Sequence, residues 1–115
     1  DRMKTFMAQA RDMGLLEKVY VLAGVGPLAS AKAADWIRKN VAGVHIPDAV
    51  IARLGGAEDQ KQEGVNLCID LIEQVREIEG VSGVHIMAYR MEDRIGEIVS
   101  RSNALNGRTP WQPAH

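Results

Sequence analysis

Hydrophobic positions along the chain switch between two periods. Met3, Phe6, Met7, Ala10 and Met13 recur at helical spacing, and Gly14 follows as a C-cap. This predicts an amphipathic helix whose methionine stripe packs in a core. Val19 to Leu22 is instead a short, continuous apolar run rich in β-branched residues, which predicts a strand over 19–23. Gly24, Gly26 and Pro27 stop it, and Ser30 stands at an N-cap position before an alanine-rich segment, predicting a helix from about 31 to 40. Val19 to Trp36 therefore reads as strand, tight loop and helix, the βα unit on which α/β enzymes mount their sites at strand C-termini.

Beyond Asn40 the pattern shortens. Asn40 to Gly43 is a turn and Val44-His45-Ile46 a short extended piece before Pro47. Pro47 fits a first helical turn, where its missing N–H costs nothing, and that helix reaches Leu54 before Gly55-Gly56. Glu58-Asp59 begin the longest helix, running to about Glu79, with Val65, Cys68, Ile72 and Val75 as one stripe widened by Ile69, Leu71 and Ile78. Gly80 ends it. Val84 to Met87 is a second strand within Gly83 to Arg90, and Glu92 to Arg101 the last helix. Residues 106–115, with Gly107, Pro110 and Pro113, read as a loop-like tail to a unit spanning 1–105.

The order is α-β-α-α-α-β-α. A parallel pair needs a crossover of a dozen or more residues, and here it is about sixty. Two buried parallel strands do not make a self-sufficient sheet, so the chain reads as part of a larger α/β fold. A helix pattern under way almost at Asp1, with no initiator methionine, suggests a piece of a longer protein, although a processed or tag-cleaved chain would look the same.

Composition removes several function classes. A net charge of −1 with scattered Lys and Arg argues against nucleic acid or an anionic membrane. No apolar run approaches the roughly 20 residues of a membrane span. The single cysteine, Cys68, excludes an internal disulfide and suits a reducing cytoplasm. His45 and His85 lie between apolar neighbours without further ligands at metal spacing, and read as hydrogen-bonded structural histidines. Gly24 and Gly26 are not a dinucleotide fingerprint, because Ala29 holds the place of the third glycine.

Three segments in order carry a resemblance: Leu22-Ala-Gly-Val-Gly-Pro-Leu-Ala-Ser30, Val44-His-Ile-Pro47 and Gly83-Val-His-Ile-Met-Ala-Tyr-Arg90. Together they resemble the C-terminal part of the methylenetetrahydrofolate reductase family, from about Arg2 to Val99. The resemblance implies a TIM (β/α)8 barrel, of which this chain would be the C-terminal portion, about the last two βα units. It implies a flavoprotein with FAD and a reduced nicotinamide, NAD(P)H, as co-substrate, reducing 5,10-methylenetetrahydrofolate to 5-methyltetrahydrofolate. A complete barrel takes about 250 residues. Most FAD contacts and the acidic residues of the chemistry fall on earlier strands, so no catalytic residue is expected here. The expected partners are the folate, the nicotinamide, and either a second copy or the remainder of the barrel.

On the substrate side, the resemblance places Arg90 where the family has an arginine approaching the folate. Ala88 falls at an apolar position against its aminobenzoyl ring. Trp36 matches an aromatic that stacks on folate or nicotinamide in turn. Lys32 lies one helical turn earlier on the same face, where some relatives carry glutamine. Gly26 and Leu28 belong to the Gly24 to Leu28 loop over the ligand.

Each residue also has a plainer reading. Trp36 could pack with Ala33, Ala34 and Ile37; Arg90 could be a solvated charge or pair with Glu92 or Asp93; Lys32 could be merely solvated. Tyr89 could anchor its loop through the hydroxyl, and Trp111 could dock on the barrel or a neighbouring subunit. At the level of the whole chain, two rivals remain: a non-catalytic binding or assembly subunit, and another tetrahydrofolate-handling barrel such as a methyltransferase.

Overall fold

The computed structural model describes residues 2–114. Helix α1 (Arg2–Asp12) and a 3₁₀ turn (Leu15–Glu17) lead to strand β1 (Val21–Val25). Helices α2 (Ala31–Asn40), α3 (Asp48–Gly55) and α4 (Gln60–Arg76) follow, then strand β2 (Val81–Ile86). A second 3₁₀ turn (Glu92–Arg94) runs into helix α5 (Ile95–Arg101). Gly14 takes a left-handed φ of 76°, as a C-cap requires. Residues 108–114 carry neither helix nor strand.

β1 and β2 pair in parallel, Leu22 with Gly83, Ala23 with Val84, Gly24 with His85 and Val25 with Ile86. Side chains alternate faces along a strand. Ala23 and Val25 are buried, and Val84 and Ile86 pack with Val25 against Val65, Cys68, Ile69 and Ile72 of α4 and Ile98 of α5. The opposite face, with Leu22, Gly24, His85 and Met87, is bare, and Leu22 is 62% exposed. The molecule is accordingly a plate of 43 × 42 × 22 Å. Its radius of gyration of 15.6 Å exceeds the ~13 Å of a compact domain this long.

Several elements depart from the sequence pattern. β1 lies two residues later than 19–23, because Gly24 belongs to the strand: Met87 N–H donates to Val25 O at 2.8 Å, carrying the ladder past it. β2 starts at Val81 rather than Val84 and stops at Ile86. Val44 to Ile46 forms no strand, and Pro47 is the N-cap of α3 rather than part of its first turn. α4 ends at Arg76; the turn after it closes on Gly80, whose φ is 90°. The last helix is split into a 3₁₀ turn and α5.

The α1 stripe is only partly core. Met7 and Ala10 are buried, whereas Phe6 and Met13 are 60% and 73% exposed. The stripe on α4 buries Val65, Cys68, Ile69 and Ile72, but Leu71 is exposed. Among the described residues no helix is long and apolar enough to cross a membrane.

Candidate functional site

Parallel strands deliver their following loops to one end of the sheet, and here that end gathers the Gly26–Ser30 and Met87–Met91 loops. The two loops lie directly on each other. A Cβ at Gly26 would fall 2.4 Å from the Met87 carbonyl oxygen, so only glycine permits this approach. Leu28 is seated from below: a Cβ on Gly64 of α4 would meet its carbonyl oxygen at 1.7 Å.

The start of α2 is closed by side chains. Ser30 Oγ accepts the Ala33 N–H at 3.0 Å, the predicted cap, and Gln60 Oε1 of α4 accepts the Ala31 N–H at 2.9 Å. Two of the helix's orphan donors are thereby satisfied and the loop is tied to α4. Lys32 and Trp36 both stand exposed, four residues apart on one face of α2. Trp36, at 61% exposure, is not packed on Ala33, Ala34 and Ile37 as a core residue. Further along, Lys39 and then Arg38 hold the Asp35 carboxyl below its ordinary value.

At the second loop, Tyr89 is exposed while Met91 is fully buried among Val25, Val65 and Ile98. Arg90 makes the turn between them with φ at 60°, a left-handed conformation that costs an L-residue about 1–2 kcal/mol. Its own N–H donates to Glu92 Oε1 at 3.1 Å, and its guanidinium lies 5.4 Å from the Tyr89 ring centroid, within cation–π range. Neither expected ion pair forms. Glu92 takes the Arg90 amide, and Asp93 lies 3.8 Å from both Lys61 and Arg94. Among the described residues the Arg90 guanidinium therefore has no carboxylate partner.

Below the loops, α4 and α5 are joined by Gln62, which accepts from Arg94 Nη1 at 2.8 Å and donates to Glu97 at 3.0 Å. Gln62, and after it Arg101, keeps the Glu97 carboxyl below its ordinary value. Ala88 is half-buried and packs toward the core cluster. The structure thus brings Gly26 and Leu28 together with the Met87–Met91 loop through shared backing, and leaves Lys32 and Trp36 on an exposed face of α2.

His45 and His85 are exposed and their imidazoles make no hydrogen bond among the described residues, contrary to the structural role read for them. His85 emerges on the bare sheet face because strand alternation puts it there beside Gly24. Trp111, 84% exposed, is not docked on the described residues. Three residues that set the loops carry no motif: Gln60, Gly64 and Glu92. Only Gly64 has a local signal, since a glycine inside a long helix costs about 1 kcal/mol against alanine and calls for a packing reason.

The family model described as methylenetetrahydrofolate reductase matches residues 1–103. The chain belongs to the methylenetetrahydrofolate reductase family. No curated protein and no solved structure matches it. Membership in the methylenetetrahydrofolate reductase family gives the chain a reductase-related role in folate one-carbon metabolism, and a TIM barrel as the family's fold. The match spans both βα units and all the elements that back the loops.

Proposed function

We propose that this chain contributes part of the folate and nicotinamide pocket of a flavin-dependent 5,10-methylenetetrahydrofolate reductase, from the last two βα units of its barrel. The bare sheet face supports the barrel reading: helices cover one side of β1–β2, as they do outside a barrel, and Leu22, His85 and Met87 remain for an interior. The remaining strands would come from the rest of the protein or a second copy.

One observation carries the site: Arg90, at a strand C-terminus, has a guanidinium free of carboxylates among the described residues and a backbone held in a costly conformation. Such strained residues cluster where a ligand is bound. In this reading Arg90 binds the folate, while Trp36 offers an exposed ring for stacking and Lys32 a flanking charge. Gly26 and Leu28 shape the loop beside the substrate. Ala88, turned toward the core cluster, contributes backbone and packing more than contact with an aromatic ring.

The residues present do not themselves form a dinucleotide site. Ala29 replaces the third glycine of the fingerprint, and two of the first three amides of α2, those of Ala31 and Ala33, are already taken by Gln60 and Ser30. Flavin belongs to the remainder of the protein in this reading, and no step of hydride transfer falls to residues here. Their work is binding and orientation.

Steady-state kinetics of Arg90→Ala in the intact reductase test the assignment. Folate turnover should weaken by a factor of ten or more, on the order of 1.4 kcal/mol. Unchanged folate kinetics would remove Arg90 from the pocket.

A further inference from the structure

We infer that Glu92 is a positioning residue for Arg90, acting through the main chain rather than by pairing with its charge. The inference rests on the folate-binding reading of Arg90. A glutamate two residues from an arginine would ordinarily be read as its salt-bridge partner. Here the Glu92 carboxylate oxygen instead accepts the Arg90 backbone N–H at 3.1 Å. Short-range bonds of this kind replace the regular ladder where the chain leaves it.

The consequence is a division of labour. Arg90 sits at φ 60°, which nothing in an arginine side chain favours, between exposed Tyr89 and fully buried Met91. Met91 anchors the turn on its core side, and Glu92 holds its amide on the other. The carboxylate is then committed to the backbone, and Asp93 is engaged by Lys61 and Arg94. The guanidinium is left against the Tyr89 ring at 5.4 Å, charged and without a carboxylate among the described residues. A glutamate that paired with the guanidinium would compete with the ligand. One that binds the amide fixes the same arginine and keeps its charge available.

A double-mutant cycle in the intact reductase tests this, with the folate KM as readout and Asp93→Ala as the neighbouring control. Glu92→Ala is expected to raise the folate KM about tenfold, the same direction as Arg90→Ala, with a much smaller change in kcat. Glu92→Gln, whose amide oxygen can still accept the N–H, should restore most of the loss, and Asp93→Ala should change little. In an Arg90→Ala background, Glu92→Ala should add nothing. Additive effects, or a Glu92→Ala enzyme with unchanged KM, overturn the inference while a raised KM in Arg90→Ala leaves the folate reading standing. If Arg90→Ala itself leaves KM unchanged, the folate reading falls and the inference with it. Should Glu92→Ala not fold, hydrogen exchange in the wild-type protein decides: an Arg90 amide exchanging like a free peptide overturns the proposal.

Discussion

Gly64, in the first half of α4, lies so close to Leu28 that a Cβ built on it would fall 1.7 Å from the Leu28 carbonyl oxygen. Every atom that Cβ would meet is Leu28 backbone, the carbonyl carbon at 2.8 Å and the nitrogen at 3.4 Å besides the oxygen. The loop after β1 thus rests on a helix main chain. Gln60, one turn earlier on α4, fixes the following residue pair through the Ala31 amide. The geometry of the candidate site is therefore set as much by α4 as by the strands.

Gly64→Ala should consequently destabilise the fold although alanine favours helices. Neither partner can rotate away, so helix and loop must separate. Overpacking of this kind costs about 1–3 kcal/mol and sometimes more, against the ~1 kcal/mol that alanine gains in helix propensity. A thermal melt should show a lowered midpoint. A midpoint equal to or above wild type would mean that the loop does not rest on α4.

Gly24, inside β1, and Gly26, in the loop that follows, separate two kinds of close approach to Met87. At Gly24 the nearest atom to a built Cβ is the Met87 Cε methyl at 2.9 Å, the end of a flexible side chain. At Gly26 it is the Met87 carbonyl oxygen at 2.4 Å, which is backbone. Gly24→Ala should then be tolerated with a small loss of stability. Gly26→Ala should cost roughly 1–3 kcal/mol more, because it forces β1's loop off the Met87–Met91 turn. Equal denaturation midpoints for the two variants would contradict this ordering.

Much of the architecture was legible along the chain, and the failures have physical causes. The Ser30 cap and the Gly14 stop are local signals, and both are realised as read. The α4 stripe is decided by periodicity and buries Val65, Cys68 and Ile72 as expected. Strand limits were not local. Gly24 and Gly83 look like breakers, yet both lie inside strands, where Leu22 covers Gly83 and Met87 covers Gly24. Phe6 and Met13 obey the helical period but stay exposed, with no covering surface among the described residues. In the site, the glycine-rich loop could be located from sequence. The left-handed Arg90 could not, since arginine carries no turn signal and its amide partner is a glutamate with several plausible partners.

Cys68 offers a measurable consequence of the core's dryness. Its thiol is 1% exposed on the inner stripe of α4, and burial pushes it up to about 11 from 9.0. The folded state therefore holds the thiol proton more tightly than the unfolded chain does. Its contribution to stability is fully present below pH 9 and is lost as the pH rises from 9 toward 11, at up to about 1.4 kcal/mol per pH unit. Two experiments read this. Alkylation by iodoacetamide near pH 8 should be slow in the folded protein and fast after denaturation, because thiolate is scarce and the sulfur is covered. Denaturation midpoints of wild type should also fall between pH 9 and 11 relative to Cys68→Ala, whose own midpoint will be lower throughout the neutral range through loss of packing. Rapid native labelling at pH 8, or parallel pH profiles for the two proteins, would show that the face of α4 against β1 and β2 is open to water.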